Sequence, residues 1–210
     1  MAKYSDIKGF TVQTLSTDTI ANQIAGGTWA SGGDLNNGRT QGGPAGTQTA
    51  ALYFGGDPVG SNGAYNEEYN GTSWTEKADL NTARGNNLGG AGTTTAALGF
   101  GGYGPSSTLA NNESWNGSAW TEVADINTSD GQRTVFGQDN SNALAVGTNL
   151  NESWNGSSWT EVTDLSTARG ITGSGRSPSG SGLVFGGASY SAATEEWTAP
   201  VETTVTFTTS

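Results

Sequence analysis

The chain has 210 residues and a net charge of −11, and it contains 34 glycines and seven tryptophans but neither cysteine nor histidine. These absences exclude thiol nucleophiles, disulfides and zinc sites built from Cys and His. The negative charge disfavours nucleic acid and anionic membranes, since both are bound through Lys and Arg. No apolar run approaches the roughly 20 residues of a membrane span. We therefore expect no nucleic-acid partner, no membrane insertion, no metal and no cofactor.

A repeated pattern begins at Trp29. A tryptophan followed five positions later by Asp recurs at intervals of roughly 40 to 50 residues, a period typical of propellers and repeat arrays. These tryptophans are Trp29, Trp74, Trp120 and Trp159. An acid two positions before an aromatic residue recurs as Glu67, Glu113, Glu152 and Glu195. An arginine five positions after the Asp recurs as Arg39, Arg84 and Arg169, with Asp130 in its place in one copy.

Each copy of the pattern predicts four short strands. The first is rich in Gly, Ala and Thr, the second is an apolar run that mostly ends in Gly-Gly, the third carries the acid and the aromatic residue, and the fourth begins at the tryptophan. Between the third and fourth strands stands Asn-Gly, a strong hairpin signal because both residues tolerate positive φ. It occurs at Asn70-Gly71, Asn116-Gly117 and Asn155-Gly156. A unit of four antiparallel strands predicts one blade of a propeller.

The order of these features resembles the kelch repeat over residues 28–198. The resemblance implies an all-β fold, a small kelch-like β-propeller. The glycine-rich composition of segments such as LNTARGNNLGGAGTTTAALGFGG looks most like that of the kelch-like repeats in structural proteins of bacteriophages, especially marine ones.

The number of blades follows from the complete strand sets. Three units are predicted at about 37–79, 82–125 and 128–164, and a fourth runs from about 167 to Trp197 without its last strand. We expect about four blades, with the N-terminal Trp29 strand completing the last one and so removing two open sheet edges. Two alternatives stay open: a partial fifth blade built from residues 10–15 and 201–208, or an open array closed by another subunit.

The domain boundaries follow from the same count. We expect an N-terminal arm at 1–27, the propeller at 28–198 and a strand-like C-terminal tail at 199–210. Both ends are Thr-rich and alternate like strands, which suits docking on a partner by strand addition. Residues 1–25 and 199–210 are therefore predicted to contact other proteins.

The repeated charged residues are predicted to be structural, because a catalytic group is needed once and these occur in every copy. We expect the Glu and Arg residues to pair between blades, since buried charges are seldom unpaired, and we expect the tryptophans to fill the wedges between blades. The variable loops carry a tyrosine in three units, at Tyr65, Tyr103 and Tyr190. Aromatic loops on a rigid scaffold suit recognition of a sugar or a protein, so these three residues are the predicted ligand contacts.

The functional expectation is a non-enzymatic protein. The resemblance implies a virion structural protein, a capsid decoration or a tail- or fibre-associated component, attached to other virion proteins through its terminal arms and forming part of a homo-oligomeric assembly. The alternative is a module that binds host-surface glycans or receptors through its variable loops.

Overall fold

The computed structural model describes residues 29–58, 63–129, 131, 133–147, 150–168, 170, 173–174, 178–187 and 191–200. The predicted contact segment 1–25, the predicted tail 199–210 apart from its first two residues, the alternative fifth blade, Asp130, Arg169 and Tyr190 lie outside these residues. Within them the secondary structure is entirely β. A search of the same residues for a helix of membrane-spanning length and hydrophobicity finds none.

The described strands form four antiparallel sheets that follow one another along the chain. The first sheet contains β1 (Gly43–Thr47), β2 (Ala50–Phe54), β3 (Asn66–Tyr69) and β4 (Trp74–Lys77). The second contains β5 (Gly89–Gly92), β6 (Ala97–Phe100), β7 (Asn112–Trp115) and β8 (Trp120–Val123). The third contains β9 (Thr134–Phe136), β10 (Ala143–Val146), β11 (Asn151–Trp154) and β12 (Trp159–Val162). The fourth contains β13 (Gly173–Ser174), β14 (Ser181–Phe185) and β15 (Thr194–Thr198).

In every sheet, strands that follow one another in sequence are neighbours, so each repeat is an up-and-down meander. The prediction of four strands per unit is confirmed for the first three repeats. The third and fourth strands share one register throughout, in which Tyr69 or its tryptophan equivalent lies opposite the tryptophan that opens the fourth strand. This arrangement of repeated sheets is compatible with a propeller-like fold.

The described residues do not show the predicted pairing of a Trp29 strand with the last sheet. Trp29 lies in no strand and its side chain is fully exposed, and no strand of the described residues pairs with the outer edge of β15. The local sequence gives a physical reason. With Trp29 aligned on Trp74, Gly32 takes the position of Lys77, the last residue of β4, and Gly33 takes that of Ala78 directly after it. Glycine weakens a strand through its backbone entropy. Closure of four blades into a ring is therefore not observed.

The first strands of successive sheets lie side by side. The strand β1 packs against β5, β5 against β9, and β9 against β13. The approach is closest where backbones meet without side chains between them: a Cβ atom on Gly90 would stand 2.6 Å from the carbonyl oxygen of Pro44. This contact explains why the first strand of the early repeats is rich in glycine and alanine.

Aromatic residues fill the space between sheets. Phe54 of the first sheet meets Trp120 of the second edge-to-face at 4.7 Å between ring centroids, and Phe100 of the second meets Trp159 of the third in the same way at 4.9 Å. Such pairs are worth about 0.5–1.5 kcal/mol beyond the burial of their area. The repeated tryptophans of the internal sheets therefore hold neighbouring sheets together, which is the role that their period suggested.

The Asn-Gly hairpins differ in detail from the predicted two-residue turn. Four residues join the third and fourth strands, and of the Asn-Gly pair only the glycine has positive φ, at 93° for Gly71. The Asn70 side chain instead accepts hydrogen bonds from the backbone N–H groups of Thr72 and Ser73, both at 3.0 Å. Asparagine serves here as a side-chain cap of the turn, a use for which its short amide is suited.

Candidate functional site

The third strand of each complete sheet carries a buried glutamate. Glu67, Glu113 and Glu152 have no exposed surface. A buried carboxylate costs several kcal/mol unless it is paired and hydrogen-bonded. The segment that enters each sheet supplies these partners, so that the glutamate and its donors form one cluster per repeat, here called the Glu–Arg cluster.

The arginine of the first and second clusters lies in the linker before the first strand of the same sheet. Arg39 is ion-paired and hydrogen-bonded to Glu67, and Arg84 Nη2 lies 3.0 Å from Glu113 Oε1. The remaining guanidinium donors reach backbone carbonyls, as Arg84 does toward Asn111 at 2.7 Å. The expected pairing between blades is therefore corrected to pairing within one repeat. The reason is topological, since the linker from the preceding sheet passes over the third strand of the sheet that it enters.

The third repeat has the same cluster with a different arginine. Arg133 stands immediately before β9, and its Nη1 lies 3.0 Å from Glu152 Oε1. Its Nη2 also donates to the carbonyl of Thr128 at 2.9 Å. Arg133 thus pairs with the glutamate although the repeated position holds Asp130. The sequence comparison missed this residue because it looked for arginine at a fixed offset, whereas the side chain is long enough to reach Glu152 from three positions further on.

A second missed member of the cluster is the asparagine that follows Asp-Leu or Asp-Ile. The backbone N–H of Asn36, Asn81 or Asn127 donates to the glutamate at 2.8 Å in each of the three repeats. The side-chain amide of the same residue donates to the glutamate and also to the carbonyl of the tryptophan that opens the fourth strand. The signal was present in the sequence as a repeated Asn at one offset. Its function was not evident, because the two strands that it contacts lie far from it in sequence: Glu113 is 32 residues and Trp120 is 39 residues beyond Asn81.

The fourth repeat departs from this pattern at the position of the asparagine. Ser166 stands where the other repeats have asparagine, and its backbone N–H donates to Glu195 at 2.8 Å. Serine lacks the amide that bonds the tryptophan carbonyl of a fourth strand. Ser166 precedes the fourth sheet, in which the structure describes three strands. The repeat that lacks the asparagine is therefore also the repeat in which no fourth strand is described.

Burial and hydrogen bonding act in opposite directions on the Glu67 carboxylate. Burial raises its pKa, and hydrogen bonds from Arg39 and from Asn36 outweigh that effect, so that the pKa lies below its ordinary value. Burial also lowers the pKa of Arg84, against the attraction of Glu113. The cluster therefore holds a carboxylate that is ionised through the whole neutral range.

This shift predicts an acid-dependent loss of stability. A carboxylate with a lowered folded-state pKa contributes stability that is complete above its unfolded value, about 4.5, and that is lost as pH falls through the folded-state pKa. We expect the difference in free energy of unfolding between wild type and Glu67→Gln to be constant at neutral pH and to shrink in acid. Denaturant titrations of both proteins across this range measure the difference. A difference that does not change with pH would contradict the assignment.

The chain matches no family model, and a search of the curated proteins returns no match. A search of the described residues also finds no group of three or more acids that is arranged to hold a metal ion.

The two described tyrosines of the predicted contact set lie in the loops between second and third strands. Tyr65 directly precedes β3, and its carbonyl accepts a hydrogen bond from Gly55 at 2.8 Å. Tyr103 lies at the other end of the corresponding loop, bridged to Gly85 of the linker, and its ring covers Gly131 of the next repeat so closely that a Cβ there would clash. Both side chains are partly exposed. They therefore share one end of the sheets without occupying equivalent positions.

The opposite end of the sheets contains a depression of about 610 Å³. The turns between first and second strands surround it, one from each repeat: Gly46 and Thr47, Gly92 and Thr93, Gly137 to Asp139, and Pro178. Hydrogen bonds from the hydroxyl and the backbone N–H of Ser141 lower the pKa of Asp139. The depression thus combines threonine hydroxyls, backbone groups and one carboxylate that is ionised at neutral pH.

These observations separate scaffold from surface. In the three complete repeats the Glu–Arg cluster is buried and its charged atoms contact one another and backbone groups, so its chemistry is used inside the sheets. The described parts of the variable loops include exposed residues such as Ser106, and the turns around the depression include exposed residues such as Thr47. The two ends of the sheets are therefore candidate positions for a ligand contact.

Proposed function

We propose that this chain is a non-enzymatic structural protein of a bacteriophage virion, a capsid decoration or a tail- or fibre-associated component that displays recognition loops on a β-repeat scaffold. The observation that carries the proposal is the division between repeated and varying residues. In each complete repeat one Glu, one Arg and one Asn form a buried or partly buried cluster, while the loops between second and third strands vary in length and sequence. A rigid scaffold with variable loops is the usual construction of a recognition protein.

Further support comes from the sequence. The composition of the repeats resembles that of repeats in phage structural proteins. A net charge of −11 favours solubility on a crowded particle surface. The Thr-rich segments at 1–25 and 199–210 are the proposed attachment arms, which would dock on other virion proteins by strand addition.

Quantitative mass spectrometry of purified particles tests this function. The particles are those of the phage whose genome encodes the chain, and copy number is measured against the major capsid protein. A number close to that of the capsid subunit would identify a head decoration, and a small number that follows tail symmetry would identify a tail or fibre component. Absence from the particle would refute the virion function. As a control for attachment, a chain without residues 1–25 should be lost from particles while it keeps its β circular-dichroism spectrum.

A second function, binding of host-surface glycans, is favoured by the position of Tyr65 and Tyr103 at one end of the sheets. Stacking on partly exposed aromatic rings suits sugar recognition. We expect replacement of Tyr65, Tyr103 and Tyr190 together by alanine to abolish binding on a glycan array or on host cells. Alanine at Thr47 and Thr93, beside the depression at the opposite end, is the matched control and should leave binding intact. The reverse result would move the contact to the depression, and no binding by the wild type would refute the glycan function.

A further inference from the structure

The last sheet displays an apolar face that the other sheets bury. Leu183 and Phe185 are 37% and 43% exposed, whereas the corresponding Leu52 and Phe54 of the first sheet are 1% and 0% exposed. The correspondence rests on register, since Phe185 lies opposite the first residue of β13 just as Phe54 lies opposite the first residue of β1. In the first three sheets this side, here called the front face, is covered by the next sheet.

The first sheet displays the opposite face. Trp74 and its cross-strand neighbour Tyr69 are partly exposed, whereas the corresponding Trp120 and Trp115 of the second sheet are 5% and 0% exposed. A groove of about 430 Å³ runs beside Trp74. Its apolar lining includes Leu35, Pro44, Ala51 and Tyr53. This side, here called the rear face, is covered by the preceding sheet in every later repeat.

The two exposed faces are the separated halves of one contact. Inside the molecule, the front-face phenylalanine of one sheet packs edge-to-face on the rear-face tryptophan of the next, in two successive copies. Among the described residues, no tryptophan ring packs on Phe185 and no phenylalanine ring packs on Trp74. The same molecule therefore exposes both sides of the aromatic interface that joins its own sheets: the phenylalanine side on the fourth sheet and the tryptophan side on the first.

We infer that the front face of the fourth sheet binds the rear face of the first sheet of a second copy of this chain, with Phe185 of one copy packed on Trp74 of the other. Such a contact joins two different patches and is heterologous, so it repeats from copy to copy and ends either in a closed ring or in a filament. A second copy is the occupant that the structure favours, because it continues the internal interface with the same residue types in the same register. If no second copy covers them, large apolar side chains exposed on the outer faces of the first and fourth sheets are an aggregation liability.

Mass measurement on the full chain tests this assembly. We expect native mass spectrometry and light scattering to show species that are whole multiples of 21.3 kDa and that increase with concentration. Phe185→Asp should reduce the wild type to monomers, and Leu183→Asp should do the same as an independent variant of the same face. Ser157→Asp, which adds the same charge on an exposed hairpin, is the matched control and should assemble like the wild type.

A mixing experiment distinguishes this contact from other modes of association. Phe185→Asp retains an intact rear face and Trp74→Asp an intact front face, so each alone should be monomeric and an equal mixture should form a one-to-one dimer that does not grow. Circular dichroism verifies that each variant is folded. A wild type that stays monomeric at every concentration would overturn the inference and indicate that the faces are covered within one chain. Assembly that survives Phe185→Asp and Leu183→Asp would overturn it as well. Both outcomes are independent of the virion test, since they concern the purified chain alone.

Discussion

Replacing Glu113 by glutamine should lower the free energy of unfolding by about 3–5 kcal/mol, the usual cost of removing one partner from a buried ion pair. Glutamine has nearly the same shape, so the change removes charge and creates no cavity. The Arg84 guanidinium, whose side chain has no exposed surface, would then be buried opposite an amide. Glu113 also accepts hydrogen bonds from the backbone of Asn81 at 2.8 Å and of Thr82 at 3.2 Å. The loss is therefore expected to loosen the linker between the first two sheets as well as the pair itself.

The matched control for this variant is Glu122→Gln. Glu122 lies directly opposite Glu113 in the neighbouring strand, and its side chain is exposed. Because exposed charges contribute about 0–1 kcal/mol, this change should be close to neutral in denaturant unfolding. Equal effects of the two substitutions would mean that the Glu–Arg cluster contributes no more than surface charge does, contrary to the structural role assigned to it.

The sequence predicted the strands well because their signals are local. The alternation of the third strand, the tryptophan at the start of the fourth, and the Asn-Gly between them each depend on residues within one hairpin. The detail of that hairpin was not predictable in the same way. Whether asparagine adopts positive φ or caps the turn with its side chain depends on whether two or four residues join the strands, and a sequence of the type NGTSW allows both.

The Glu–Arg cluster was only partly predictable. Repetition marked Glu113 and Arg84 as structural, but a fixed offset marks positions in the chain and not positions in space. Arg133 reaches the third glutamate from three positions beyond the repeated one, and only the contact between Arg133 and Glu152 in space reveals the replacement. The dual role of Asn81 was hidden for the same reason, since its two partners lie in strands that belong to the following repeat.

Closure of the array was the least predictable feature. It depends on the rotation between neighbouring sheets, which accumulates over the array and is determined by packing contacts such as that between Phe54 and Trp120, not by any residue of one repeat. The isolated Trp29 pattern suggested a strand that returns to the last sheet. Two glycines within that pattern were the contrary signal, and Ser166 at the linker of the fourth repeat was another, since it removes the amide that a fourth strand would use.

Replacing Trp120 by alanine should lower the free energy of unfolding by about 3–5 kcal/mol, as is typical for a large aromatic residue in a core. Its ring packs on Phe54 at 4.7 Å and on Trp115 at 5.4 Å, and it is 5% exposed, so the change opens a cavity between two sheets. Denaturant unfolding measures the loss, and it should be the same at every protein concentration because the contact lies within one chain.

Trp74→Ala is the natural comparison, since Trp74 holds the same position in the first sheet and no sheet of the described residues covers it. In dilute solution it should cost clearly less than Trp120→Ala, because a partly exposed ring loses less apolar burial. If the rear face binds a second copy, ligand linkage requires that the cost of Trp74→Ala increase with protein concentration, while that of Trp120→Ala stays constant. If Trp74→Ala lowers the free energy of unfolding by a small amount that does not change with protein concentration, the contacts between sheets within one chain stand as described. The proposed contact between two copies would then be contradicted. Equal costs at both sites in dilute solution would instead show that the rear face is already covered within the single chain.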